Sequence, residues 1–535
     1  MVPATAFALG VSLLASGSLY GQTAAAAQWF ETADRCMACH NGLVTPSGED
    51  VSIGFDWRAS MMANSARDPY WQAAVRREML DFPAAAAAIE DECSKCHMPM
   101  MRYAAHAEGR EGEIFAHLPV GGAQPAARLA ADGVSCAMCH QIEPDNLGSD
   151  ESFVGGFTVN ETAPAGQRAI YGPFAPDPGR VRIMHSATGF SPTQAAHLQS
   201  SELCATCHTL YTHALDSAGN AIARFPEQVP YLEWRHSAYR GNTTCQSCHM
   251  PTVADSVAIT GVLGQPRAGV NRHVFRGGNF FVLRMLNRYR DDLGVTALPQ
   301  ELDATARRTV DNLQTNTAGL EIVRAEISDG VLEADVSVRN LAGHKLPTAY
   351  PSRRVWLRVT VTDASGRVAF ESGAPRADGS IAGNDNDADP ARFEPHYTVI
   401  DDPAQVQIYE PILGSPAGAV TTGLLTATQY LKDNRLLPRG FDKATAEEDI
   451  AVHGEAASDD DFGAGGDRIR YRVRVGGAPG PHRIAVELWF QPIGFRWANN
   501  LRRYRSAETD RFVSYYDTMS ASSALLLMKT TGEAR

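Results

Sequence analysis

No cysteine in this chain lies outside a Cys-x-x-Cys-His pentapeptide: five copies consume all 10. Lysine and arginine are missing before Arg35, so the N-terminus lacks the basic start of an ordinary secretory signal. After the apolar stretch Ala6–Tyr20, no run reaches the roughly 18 apolar residues of a membrane span, and no transmembrane segment is expected in the mature chain. Positive charge is scarce, with 48 Lys and Arg against 61 Asp and Glu, for a net charge of −13. That balance argues against nucleic acid and anionic membranes as partners. No histidine occurs between His40 and His97, which limits what could bind a metal there.

What is present is the pentapeptide itself: Cys36–His40, Cys93–His97, Cys136–His140, Cys204–His208 and Cys245–His249. A redox disulfide needs no histidine after its second cysteine. Structural zinc takes four ligands, so all-cysteine sites would use the pairs two at a time and leave one pair over. The pattern is instead the attachment signature of c-type haem. In this reading Cys36, Cys39, Cys93, Cys96, Cys136, Cys139, Cys204, Cys207, Cys245 and Cys248 bond five porphyrins. His40, His97, His140, His208 and His249 are then the proximal iron ligands.

Eleven further histidines compete for the opposite axial positions. Sequence neighbourhood selects His185 and His197 before the fourth motif, His236 just before the fifth and His273 just after it. His344, in Gly343-His344-Lys345-Leu346-Pro347, would dock a later domain onto the motif region if it reached an iron. His117 is a further candidate, whereas His396, His453 and His482 read as structural or exposed. The first motif has methionines nearby instead, and Met61 as a thioether ligand would raise that haem's potential; the alternative is core filling. Asp385, Asp387 and Asp389 alternate as oxygen ligands do in calcium loops, or else form a solvated acidic loop.

The expected organisation is an α+β multidomain chain. Residues 1–27 read as a signal peptide, from the apolar run and Thr23-Ala24-Ala25-Ala26-Ala27. Residues 28–316 form a mostly helical and irregular multihaem cytochrome c domain, and 317–535 an all-β, sandwich-like domain with an insertion at about 375–467. Helices are expected at Asp68–Leu80, Phe280–Leu293 and Pro299–Leu313, and another at Thr422–Leu431 within the insertion. Alternating patterns predict three hairpins: Leu320–Ile327 with Val331–Val338 across Asp329-Gly330, Arg354–Thr362 with Val368–Glu371, and Arg468–Val475 with His482–Phe490.

The segments Leu203-Cys204-Ala205-Thr206-Cys207-His208-Thr209 and Cys245-Gln246-Ser247-Cys248-His249-Met250-Pro251, with Trp234-Arg235-His236-Ser237 before the latter, resemble the multihaem cytochrome c superfamily, specifically its cytochrome c-554-like group. The resemblance covers about residues 33–313. It implies close haems that pass single electrons, in the periplasm or outside the cell, to redox partner proteins that are basic-surfaced if charge decides. A homo-oligomer fits the same reading. Five motifs and a large β domain depart from the group. Two other readings stay open: an oxidoreductase with one open haem acting on a small nitrogen or sulfur compound, and a filament-forming conduit. Against the first, no Cys-x-x-Cys-Lys motif occurs.

Overall fold

The computed structural model describes residues 29–164 and 166–535; the expected signal peptide lies outside the described residues. The motif region is built from short helices whose starts are written locally. Asp68 accepts hydrogen bonds from Tyr70 N (2.9 Å) and Trp71 N (3.3 Å), and Pro69 takes the first helical position, giving Pro69–Asp81. Asn279 caps Phe280–Arg288, which stops five residues short of the expected end. Pro299–Asn316 runs three residues beyond expectation. Two small sheets add to the expected elements: parallel β1 (Arg168–Gly172) with β2 (Phe190–Gln194), and antiparallel β3 (Leu210–Leu215) with β4 (Ala221–Gln228). Among the described residues no helix is long and apolar enough to cross a membrane.

From residue 318 the chain turns to strands. β5 (Ala318–Ser328) and β6 (Val331–Asn340) form the first expected hairpin. Asp329 and Gly330 both take positive φ, 53° and 75°, as a two-residue hairpin turn whose twist matches its strands requires. β7 (Arg354–Thr362) pairs with β8 (Val368–Ser372) as the second. The third does not form. β14 (Gly466–Arg474) pairs with β6, whereas β15 (His482–Gln491) pairs with β7 and with β16 (Leu525–Ala534). The Gly- and Pro-rich connection 475–481 carries the chain from one sheet to the other, so two patterns adjacent in sequence lie in different layers.

The insertion is woven into both sheets: β9 (Val399–Ile400) joins β14 in parallel, and β10 (Ile408–Tyr409) joins β7. Further along, β11 (Pro411–Gly414), β12 (Val420–Thr421) and β13 (Gln429–Asp433) make a three-stranded sheet. The helix expected at Thr422–Leu431 is therefore a turn followed by β13. Glu78, far away in sequence, accepts from Leu424 N (2.9 Å) and Leu425 N (3.4 Å), drawing those amides out of any helical ladder.

The sheets β5-β6-β14-β9 and β10-β7-β15-β16, the latter with β8, turn their apolar faces into one core. Leu332, Ala334, Val336 and Val338 meet Val355, Leu357, Val359 and Val361 there. Trp356, between them in sequence, points the other way and packs on Ile381, Val406 and Ile408 of the insertion. A sheet covered on both faces explains why Arg354–Leu357 is buried without alternation. The same core continues through Phe280–Leu286 and Leu302–Leu313 to Tyr70 and Ala73. The expected boundary at 316/317 is thus a change of secondary structure inside one continuous core.

Candidate haem and iron sites

Each pentapeptide closes a helical turn. The histidine amide bonds back to the first cysteine carbonyl in His40 (2.9 Å), His140 (3.0 Å) and His208 (3.0 Å). The second motif ends the helix Ala86–His97, and the fifth is the helix Cys245–His249. Spacings of three and four residues place both thiols and the imidazole on one helical face. None of the ten cysteines forms a disulfide.

The imidazoles are oriented by backbone carbonyls. Nδ1 of His40 bonds Ile259 O (2.6 Å), that of His97 Ser65 O (3.1 Å), that of His140 Tyr171 O (2.5 Å) and that of His249 Arg276 O (2.5 Å). With Nδ1–H donating, Nε2 is left as the lone-pair nitrogen, the arrangement in which a histidine ligates a metal. Trp71 stacks on His97 at 4.2 Å and 3°, fixing that ring further. Burial favours the neutral imidazole throughout. It brings His97 and His249 down to about 4 and lowers His40, His140 and His208.

Two of the expected distal histidines face motif histidines. The rings of His140 and His273 are 6.3 Å apart and 18° from parallel, and those of His249 and His344 are 6.2 Å apart and 22° from parallel. Two imidazole nitrogens each about 2 Å from one metal place their ring centres about 6 Å apart, so both pairs are spaced to hold an iron between them. His273 and His344 also tie Nδ1 to carbonyls, Asn271 O at 3.1 Å and Lys345 O at 3.0 Å. Burial brings His273 down to about 3 and lowers His344.

A cavity of about 1070 Å³ joins these elements. It is lined by the cysteines and histidines of the first, third, fourth and fifth motifs, by His273 and His344, and by Met61, Met62 and Trp57. That volume is at the upper end for ligand sites, and its walls are largely apolar side chains, as a porphyrin requires. The motif helices also neighbour one another: Ala33–Met37 packs on Cys136–Cys139, and Ser201–Ala205 on Cys245–His249.

The other candidates are placed differently. His185 is exposed, its Nε2 on Gly166 O at 2.5 Å; His197 directs Nε2 to Ile142 O (2.8 Å) and His236 to Asp442 O (3.1 Å). With that nitrogen engaged, none of the three presents it to the cavity. His117, half-buried at the end of the turn Phe115–His117, does not line it either. Met61 does. The calcium reading is corrected by geometry. Asp387 is paired with buried Arg354 (2.8 and 3.0 Å), Asp385 with Arg392, and Asp389 accepts from Ala391 N (2.9 Å), so the three carboxylates do not converge.

Sequence reasoning missed the clamp that holds His344 in place. Glu233, wholly buried, accepts from Lys345 N (3.0 Å) and from the Thr348 hydroxyl, and pairs with Arg435 at 2.9 Å. Asp433 lies between Lys345 Nζ (2.7 Å) and Arg435 Nη2 (2.7 Å). Two carboxylates and two cations thus neutralise one another beneath the His344 turn. The signal lay in Glu233-Trp234-Arg235-His236, where attention falls on the histidine and the glutamate makes the contact.

No protein-family model matches the chain, and no curated protein matches it. Among solved structures it is similar to a penta-heme cytochrome c552 from Thermochromatium tepidum. The TM-score is 0.53 and the identity 16%, over 95% of this chain and 99% of that chain. The chain has a multihaem cytochrome c-like fold. Because the match spans nearly both chains, the shared fold includes the strand-rich region together with the motif region.

Proposed function

We propose that the protein is an exported c-type cytochrome that relays single electrons through five covalently attached haems. The observation that supports this best is the pair of facing imidazoles, His140 with His273 and His249 with His344, each at a spacing suited to one iron. When bound, haem supplies one-electron ferric–ferrous chemistry. The cysteines anchor the porphyrins, the five motif histidines serve as proximal ligands, and His273 and His344 as distal ones. Met61 remains the candidate at the first motif. The strand-rich region is read as a β-sandwich that delivers His344 to the relay, steadied by Glu233, Arg435, Asp433 and Lys345.

Helix contacts support two neighbouring pairs in the relay: the helix of the first motif packs on that of the third, and the helix entering the fourth motif packs on that of the fifth. The net charge of −13 favours a basic-surfaced redox partner, and haem attachment of this kind supports a location in the periplasm or outside the cell.

Low-temperature EPR of the oxidised protein, with carbon monoxide titration of the reduced form, tests the reading. Five low-spin haems and no carbon monoxide uptake are expected of a relay. A high-spin signal with about one carbon monoxide bound per chain would replace it with the second reading, an oxidoreductase. One observation favours that second reading: Arg353 lines the same cavity, donates to Thr348 O at 3.1 Å and has no carboxylate within ion-pair distance among the described residues.

A further inference from the structure

A second, smaller cavity of about 110 Å³ lies apart from the haem cavity, and the two share no lining residue. Stretches distant in sequence build it. Arg77 comes from the helix Pro69–Asp81, Thr422 from just after β12, and Arg496 and Asn500 from the helix Phe495–Asn500, with Arg503 and Tyr504 directly beyond. Its walls are mostly polar, unlike those of the larger cavity. Three guanidiniums line this small space, and no carboxylate does.

The arginines are held with donors to spare. Arg496 is 6% exposed; its Nε donates to Asn386 O at 2.8 Å and its Nη2 to Asp387 O at 2.7 Å, which leaves Nη1 without a partner among the described residues. The Asp387 carboxylate is committed to Arg354 at 2.8 and 3.0 Å. Arg503 is exposed, and among the described residues neither it nor Arg496 has a carboxylate within ion-pair distance. Arg77, by contrast, is matched: Nε donates to Asp81 Oδ2 at 3.0 Å, Nη1 to Thr422 O at 2.7 Å, and Glu78 lies at 3.6 Å. The walls are tied to one another, since Tyr504 donates its hydroxyl to Asp81 Oδ2 at 2.9 Å and Asn500 Nδ2 donates to Thr422 Oγ1 at 2.9 Å. Burying a cation without a counter-charge is costly, and two such cations on one cavity repel each other. Burial, with the charge of Arg503 adding to it and that of Asp387 opposing, lowers the Arg496 guanidinium from its ordinary value.

We propose that this cavity binds a doubly charged tetrahedral oxyanion of the sulfate or hydrogen phosphate class. The two unmatched guanidiniums supply the charge that balances a dianion, and their planar forks suit its oxygens. The space is well below that of sites for drug-sized ligands, which excludes a nucleotide. Because the walls come from the motif region, the insertion and the C-terminal segment, a bound dianion would tie the three together. The inference is independent of the haem reading.

The test titrates the haem-loaded protein calorimetrically with sodium sulfate and with sodium phosphate, in chloride buffer of constant ionic strength. One saturable site per chain is expected. Arg503→Gln, an exposed change that leaves the fold intact, should weaken it on the order of tenfold. Arg502→Gln should leave it unchanged, because Arg502 pairs with Asp517 and does not line the cavity. Melting temperature gives a second reading. Sulfate raises it generally through exclusion from the protein surface, so the expected result is a larger rise in the unaltered protein than in Arg503→Gln. Nitrate, planar and singly charged, should bind more weakly than either dianion. No saturable binding of sulfate or phosphate, equal binding by Arg503→Gln, or nitrate bound as tightly as sulfate would overturn the proposal.

Discussion

Replacing Asp433 by asparagine should uncouple the strand-rich region from the relay. Asp433 is buried and accepts from Lys345 Nζ at 2.7 Å, from Arg435 Nε at 2.8 Å and from Arg435 Nη2 at 2.7 Å. Burial by itself would raise the Asp433 carboxyl, but Arg435 and Lys345 outweigh it and hold the group well below the usual carboxylate range. Asparagine has nearly the same shape and no charge. It would leave Arg435 with Glu233 and the Lys345 ammonium with only the Ala451 carbonyl at 3.1 Å. Breaking a buried pair in this way costs about 3–5 kcal/mol. Because Lys345 follows His344 directly, the loss should also disturb the ring that faces His249. Urea unfolding of the haem-loaded variant at pH 7, followed by far-ultraviolet circular dichroism, measures the first effect. EPR measures the second, as a change confined to one haem. The carboxylate's contribution is present above the unfolded value of about 3.9 and is lost as pH falls through the lower folded value, so it should be constant between pH 5 and 8. A variant within about 1 kcal/mol of the unaltered protein, with an unchanged spectrum, would refute the clamp.

Replacing His344 by alanine should convert one haem to a high-spin or carbon monoxide-binding form, while His236→Ala should leave all the haem signals unchanged, as EPR on both variants would show. Gly133 has φ of +60°, and a Cβ there would lie 2.7 Å from Ala63 O and 2.8 Å from Met62 O. Both are backbone atoms, so Gly133→Ala should cost at least about 1–3 kcal/mol, read from the urea midpoint. Burial, with the charge of Glu78 adding to it and the Gln228 amide opposing, pushes the Glu227 carboxyl up to about 8. Its folded form thus keeps a proton that the unfolded chain releases near pH 4, and stability should fall as pH rises toward 8. Glu227→Gln should flatten that decline in unfolding curves taken across pH 4–9.

Much of the haem chemistry and several elements of the fold are legible in the sequence because contiguous residues write them. Cys-x-x-Cys-His is a local signature, and so are Asp68-Pro69 as a helix start and Asp329-Gly330 as a hairpin turn. Legibility ends where the deciding partner is remote. Thr422–Leu431 has a helical look, but Glu78 and β11 decide its form. The strands Gly466–Arg474 and His482–Gln491 carry hairpin patterns, yet each finds its neighbours elsewhere. Among the distal candidates, His273 and His344 face motif histidines while His185, His197 and His236 turn their Nε2 to carbonyls. Four of the five adjoin a motif in sequence and His344 does not, so proximity along the chain misleads and the path of the backbone decides. Arg353 and Arg354 make the same point at closest range: adjacent and identical in type, one is paired and the other faces the cavity.

If five haems on one chain carry one electron each, coulometric reduction of the haem-loaded protein under argon, with the haem bands followed throughout, should take up five electrons per chain in one-electron steps and return them in full on reoxidation. Fewer than five electrons taken up by a chain with all five motifs intact would refute the relay.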